Sequence, residues 1–240
     1  MNTYFLPLIA KKELAVDTMA FWFSTAGTDF SFQAGQYINM SIIDPKEKDN
    51  RGNSRSMSIA SSPGNKDSIM FSMRMRLSAF KNNLNNLALG EKVRILGPFG
   101  YFVLPKSAQT PLVFLAGGIG VTPFRSMIEW TVNNKFPYDI ALFLSNPTIK
   151  DAAFYEDLAK WSQESSNFKF IPTFTRVNTP CNSCETGRIN KEMILKYINN
   201  PKEPIFFIAG THEMVLSMKE ILQDLKVDPS KIITEHFGGY

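Results

Sequence analysis

The sequence predicts a two-domain protein in which an antiparallel β half precedes a parallel-sheet α/β half, and three observations carry that prediction. Up to about residue 106, short apolar runs alternate with turn chemistry. Beyond it the rhythm changes to a strand-like apolar run followed by a helix-spaced one, repeated. The length of 240 residues suffices for two modest units that each bury a core, placed at 1–106 and 107–240.

In the first half the strand candidates are "MAFWFST", "QYINMSI", "SMSIASS", "SIMFSMRMRL" and "KVRILG". In "FSMRMRL", Phe71, Met73 and Met75 fall on one face and Ser72, Arg74 and Arg76 on the other, as a half-buried strand requires. A short helix is expected over "AFKNNLNNLAL", and Asp44 to Ser54 reads as a solvated loop. In the second half "PLVFLAG" leads into a helix carrying Phe124, Met127, Ile128 and Thr131. "DIALFLS" precedes "DAAFYEDLAKW", "FKFIPTFT" precedes "NKEMILKYI", and "IFFIAG" precedes "EMVLSMKEILQDL". A last strand, "KIITEHF", nearly ends the chain, and strands alternating with helices imply a parallel sheet covered on both faces.

Composition excludes several classes. The net charge of +4 divides into +5 up to Lys106 and −1 beyond it, so the basic excess belongs to the first half. No dense Lys/Arg run with interleaved aromatics is present, which argues against nucleic acid and leaves a polyphosphate or an acidic protein surface as the fitting partner. Apolar runs are too short to span a bilayer, and the start lacks the layout of a secretion signal, so a cytoplasmic location is the expectation. Two cysteines, Cys181 and Cys184, exclude a four-cysteine iron–sulfur site. They leave open a surface-loop pair, a redox dithiol or half of a zinc site.

Two stretches carry candidate chemistry. "LAGGIGVTPF" (Leu115 to Phe124) follows a strand and opens a helix, with Thr122 expected as N-cap and Pro123 at the first helical position. Its glycines would let an anion approach backbone N–H groups at a helix start. Gly118 and Gly120 give G-x-G, yet Pro123 replaces the third glycine and "LFLSNP" ends the next strand without a carboxylate. The spacing alone therefore leaves a nucleotide loop and a tight turn both open. The second stretch is "RSMSIASSP", where Arg55 could hold a phosphate and hydroxyls at Ser58, Ser61 and Ser62 could bond a polar ring edge; an edge strand with routine serines fits as well.

Taken in order, "GQY" (Gly35 to Tyr37), "RSMS" (Arg55 to Ser58), "RLSAFKNNL", "GPFG" (Gly97 to Gly100), "GGIGVTP" and "EHFGGY" resemble the motifs of the ferredoxin–NADP reductase superfamily. The resemblance covers essentially the whole chain. It implies an antiparallel FAD-binding β-barrel followed by an NAD(P)-binding domain, with FAD and NADPH or NADH as cofactors. Arg55, Ser56, Met57, Ser58 and Ser78 would bind FAD, with Ser58 beside flavin N5. Gly117, Gly118, Gly120, Val121, Thr122 and Pro123 would shape the nicotinamide dinucleotide site, with Gly210 and Glu213 near the nicotinamide. Thr175 and Arg176 fall where relatives that use NADP often hold its 2′-phosphate. Glu235, Phe237 and Tyr240 would be tail residues close to the flavin, and Ser58, Glu235 and Tyr240 the residues nearest the chemistry.

The chain departs from the family pattern at Met57, where a flavin-stacking tyrosine is usual, and at Met75, where a glycine is usual. Thr211 and His212 replace a proline-containing turn, and Ala209 replaces a cysteine. The implied activity is hydride transfer from NAD(P)H to bound FAD and onward electron delivery to a separate acceptor such as a ferredoxin, a flavodoxin or another acidic redox protein. An NAD(P)H-dependent flavin or quinone reductase, and an electron-transfer subunit of a multicomponent enzyme, are the alternatives.

Overall fold

The computed structural model describes residues 2–176 and 184–238. Its first half is six strands: β1 (Thr3–Ala15), β2 (Thr18–Ser24), β3 (Tyr37–Ile42), β4 (Ser54–Ser58), β5 (Ser68–Arg74) and β6 (Lys92–Phe99). They pair antiparallel in the order β4-β3-β6-β1-β2-β5. A bridge from Ile59 to Phe71 joins the two outer strands and closes the sheet into a barrel, which removes its unpaired edges. Phe21, Phe23, Ile38, Phe71, Val93 and Ile95 fill the interior. Helix α1 (Ala79–Asn86) plugs one end with Phe80 and Leu84, and Ser78 caps it by accepting the Lys81 N–H.

The expected strands are all present, and β1 is an addition. Its exposed middle, "IAKKEL", carries charge instead of alternation, so pairing with β2 and β6 and not pattern makes it a strand. The polar face of β5 is corrected too: Ser72 is buried because that face meets the second half of the chain instead of water.

That second half is a sheet ordered β10-β9-β8-β7-β11-β12, parallel throughout. Its strands are β7 (Leu112–Gly117), β8 (Ile140–Asn146), β9 (Phe168–Phe174), the two-residue β10 (Glu185–Thr186), β11 (Ile205–Gly210) and β12 (Ile232–His236). Helices α2 (Thr122–Asn133) and α3 (Tyr155–Glu164) cover one face; α4 (Lys191–Tyr197) and α5 (His212–Asp224) cover the other. Leu112, Phe114 and Ala116 point into the first of these layers and Val113 and Leu115 into the second. That double burial is why β7 reads as an unbroken apolar run. Among the described residues no helix is long and apolar enough to cross a membrane.

The halves share a core as well as a boundary. Ala20, Ala34, Ala60, Met70 and Phe102 pack in one cluster with Phe114, Phe124 and Met127. Across the same seam the buried guanidinium of Arg125 donates to the Ala60 carbonyl at 2.9 Å, and Ser126 Oγ to the Ser61 carbonyl at 2.7 Å. Glu129 accepts both from Arg125 Nη1 at 3.0 Å and from the Ser62 N–H at 2.6 Å. Helix α2 is thus fastened to the segment that follows β4.

Candidate functional site

One cleft of about 730 Å³ receives side chains from both halves. Strand β4 supplies Ser54 to Ser58, the start of α1 supplies Ser78 and Lys81, α2 supplies Thr122, and the chain end supplies Glu235 to Gly238. Of the sequence candidates, Arg55, Ser56, Met57, Ser58, Ser78, Thr122, Glu235 and Phe237 are therefore brought together from segments up to 182 residues apart. Tyr240 lies outside the described residues.

The chemistry of this cleft is cationic at one end. Arg55 Nη1 donates to the carbonyls of Arg51, Gly52 and Ser54 at 3.0, 3.0 and 2.7 Å, which holds its fork above the Phe80 ring. Its Nη2 is buried with no hydrogen-bond partner, Asp49 Oδ1 standing 3.8 Å away. Arg51, Arg76 and Lys81 line the same cleft. Burial pushes the Lys81 ammonium down, and repulsion from Arg76, Arg55, Arg51 and Arg74 pushes it further. Such a concentration of positive charge, with an unspent guanidinium N–H, suits the pyrophosphate of a dinucleotide.

Met57 lies on this wall, 7% exposed, and belongs equally to the barrel core. Besides Phe237 the cleft receives the Tyr37 ring, which faces Ser58 across the β3–β4 pair and packs on Phe99 at 5.7 Å. The sequence signal for it was the "GQY" motif, read for its place in the barrel and not for its ring. Arg51, Arg76 and Lys81 went unassigned because they lie on different turns around α1 and the 44–54 loop.

Glu235 is the cleft's perturbed acid. Burial alone pushes its carboxyl up to about 7, and Oε2 is buried without a partner. The fold therefore favours the neutral form: this stabilisation is fully present below about pH 4.5, where the unfolded carboxyl also is neutral, and is lost as pH rises through 7. Glu235→Gln, neutral at every pH, should match the wild type near pH 4.5 and exceed it by about 3 kcal/mol above pH 8. Urea unfolding of the flavin-free protein measures this, and parallel curves for the two proteins would refute it.

The glycine loop has a different geometry from the one expected. Gly117 ends β7, Gly118–Val121 form a 3₁₀ turn, and Thr122 is the first residue of α2, so Thr122 is not the N-cap and Pro123 stands one place deeper. The Thr122 hydroxyl donates to the Ile119 carbonyl at 2.7 Å, which leaves Ser72 as donor in their 3.0 Å contact across the domain seam. Gly118 has φ +52° with open space on its Cα, whereas any side chain on Gly120 would run into the backbone of Ala209 and Gly210. The first glycine serves conformation, the second close packing. Among the described α-helices, α2 alone has neither a capping side chain nor an acidic residue in its first turn. The Thr122 N–H bonds the Ile119 carbonyl and Pro123 has none, so what this terminus offers an anion is the positive end of the helix dipole.

Gly117, Gly120 and Gly210 converge where the strand order reverses between β7 and β11, the crevice in which open α/β sheets hold ligands. Val121 is buried beneath them. Glu213 sits in the first turn of α5, where its own N–H and the Thr211 hydroxyl lower its carboxyl. Thr175 and Arg176 are exposed after β9, and the Arg176 N–H bonds the Pro147 carbonyl at 2.8 Å. His212 and His236 face each other at 5.2 Å between α5 and β12, a pairing that sequence distance concealed. Cys181 lies outside the described residues; Cys184 is disulfide-bonded and not a free thiol.

Comparison with known proteins agrees with this division of labour. An oxidoreductase FAD-binding domain model matches residues 5–104, and an oxidoreductase NAD-binding domain model matches residues 114–220. The CDP-6-deoxy-L-threo-D-glycero-4-hexulose-3-dehydrase reductase of Yersinia pestis is 33% identical over 59% of this chain and 40% of its own length. Reductase component 1 of terephthalate 1,2-dioxygenase from Comamonas sp. is 24% identical over 83% of this chain and 57% of its own. The chain thus spans about half the length of the curated relatives it matches. A ferredoxin NADP+ reductase from Neisseria gonorrhoeae, solved with bound FAD and NADP, superposes with a TM-score of 0.80 over 98% of this chain and 99% of that one at 22% identity, a likeness of fold. With its cationic cleft on an antiparallel barrel, its glycine crevice on a parallel sheet and both domain models matched in order, the chain belongs to the ferredoxin–NADP reductase superfamily and is an FAD- and NAD(P)-binding oxidoreductase.

Proposed function

We propose that this chain, dividing at 106/107 into its two domains, takes hydride from NADPH onto FAD and passes the electrons on to a separate redox protein. The observation that supports this most is the single cleft in which the Arg55–Ser58 strand, the capped start of α1, Thr122 of the glycine loop and Glu235 meet. FAD supplies the conversion of a two-electron donor into one-electron steps, which no side chain performs.

The protein's own work in this reading is placement. Arg55, Ser78 and the start of α1 hold the flavin's pyrophosphate, Ser56 and Ser58 bond the ring edge, and Met57 and Tyr37 pack beside it. The uncapped α2 terminus and Gly118 hold the pyrophosphate of NADPH, Gly210 and Glu213 border its nicotinamide, and Thr175 and Arg176 take its 2′-phosphate. Glu235, able to hold or release a proton near neutral pH, stands ready to exchange protons with the reduced ring. Holding both reactants on halves fastened to one another lowers the orientational part of the barrier.

Two features support the donor and the acceptor. β8 ends at Ser145–Asn146 without a carboxylate that would bind a ribose diol, so that strand end carries no acid to repel a 2′-phosphate. The matched relatives from Yersinia and Comamonas are named as a dehydrase reductase and as the reductase component of a dioxygenase. The basic excess of the first half suits an acidic carrier.

Anaerobic stopped-flow mixing of the FAD-loaded protein with each nicotinamide tests the donor. NADPH should bleach the flavin at least about tenfold faster than NADH at equal subsaturating concentration, and Arg176→Ala should remove most of that advantage. Failure with both nicotinamides would refute hydride transfer, and a preference for NADH would refute the role of Arg176.

A further inference from the structure

The anion corner of the cleft already holds a carboxylate of the chain itself. Asp49 lies in the loop between β3 and β4, 30 residues before the start of α1, yet its Oδ2 accepts the Ala79 N–H at 3.0 Å. Oδ1 accepts the Arg51 N–H at 2.9 Å and stands 3.8 Å from the unpartnered Arg55 Nη2. Asp49, Arg51, Leu77 and Ser78 border a recess continuous in residues with the main cleft. The two backbone N–H bonds, and then the nearby arginines, hold the Asp49 carboxyl below its usual range, so it is ionised near neutral pH. Glu235 on β12 is the only acidic side chain among those lining the main cleft.

An ionised oxygen at a helix start beside an arginine fork is the position a phosphate takes. The Ala79 N–H and Arg55 Nη2 cannot serve Asp49 and a dianionic pyrophosphate at full strength together, and the like charges repel across a few ångströms. We propose that Asp49 is a stand-in anion that occupies the pyrophosphate corner in the flavin-free protein and opposes FAD there, so that FAD is held more weakly, and exchanges faster, than the cation cluster alone would dictate. This rests on the assignment of Arg55 and the α1 start to the FAD pyrophosphate.

The test titrates flavin-free protein with FAD and follows quenching of flavin fluorescence. Asp49→Asn removes the charge and keeps one acceptor oxygen, enough for the Ala79 N–H while the bond from the Arg51 N–H is given up; it should lower the Kd for FAD by about tenfold and slow FAD release. Lumiflavin, which has no pyrophosphate, should bind wild type and variant alike. An FAD Kd that is unchanged or higher in Asp49→Asn overturns the proposal, since Asp49 then merely braces its loop, and so does an equal gain for lumiflavin. Arg55→Ala separates the two readings. If it weakens FAD while Asp49→Asn fails to tighten it, only the role of Asp49 falls; if it leaves FAD binding unchanged, the pyrophosphate is not held here and both fall.

Discussion

Arg125→Met should destabilise the protein by about 3 kcal/mol and slow flavin reduction by NAD(P)H. The guanidinium is 8% exposed and joins Asp157 through Nε and Nη2 at 3.1 and 2.8 Å, Glu129 at 3.0 Å and the Ala60 carbonyl at 2.9 Å. It also lies over the Phe154 and Trp161 rings. Methionine preserves much of the apolar contact with those rings but leaves the buried Ala60 carbonyl without its donor and Glu129 without its cation, the costly half of breaking a buried pair. Arg125→Lys should recover only part of the loss, because one ammonium cannot reach three acceptors in different directions. Chemical denaturation gives the stability and stopped-flow absorbance the reduction rate. A variant with wild-type stability would mean that the apolar cluster of Phe102, Phe114, Phe124 and Met127 holds the seam unaided.

Arg55→Ala should raise the Kd for FAD by about 100-fold while changing the stability of the flavin-free protein little. Its Nη1 donates to three loop carbonyls that water can satisfy at this part-exposed position, whereas its Nη2 has no partner inside the chain. A charge-assisted pair to phosphate is worth about 2–3 kcal/mol, which is the source of the expected factor. Arg55→Lys should fall between, keeping the charge and losing the fork. Fluorescence titration with FAD measures all three proteins, and equal affinities would remove Arg55 from the cofactor site.

Much of the architecture was legible because burial imposes a period. The alternation of Phe71, Met73 and Met75 marked β5, and the unbroken apolar run of β7 marked a strand covered on both faces. What pattern could not show was which polar face meets protein. Ser72 looked like a solvent-side residue and is instead the hydrogen-bond donor to Thr122 of the other domain. The same limit hid Arg125 and Asp49, whose partners Ala60, Asp157 and Ala79 lie 65, 32 and 30 residues away. Thr122 was misjudged for a local reason: a 3₁₀ turn over Gly118–Val121 moved the helix start, so the hydroxyl turned toward the Ile119 carbonyl and Ser72. Ordered motifs brought Arg55, Ser58, Ser78 and Glu235 into one proposal, and the fold does gather them in one cleft. Of the charge surrounding them, Arg51 comes from a loop whose composition reads only as solvated, Arg76 from the turn before α1 and Lys81 from α1 itself.

The seam built by Arg125, Ser126 and the shared apolar cluster also fixes where entropy is lost. In a hinged pair of domains every turnover would have to immobilise one dinucleotide against the other. Here the placement of the two half-sites belongs to folding, and only the binding of the nicotinamide nucleotide itself would recur with each cycle. The temperature dependence of flavin reduction should accordingly show a small activation entropy, with the barrier almost wholly enthalpic, and loosening the seam should make that entropy more negative before it changes the enthalpy.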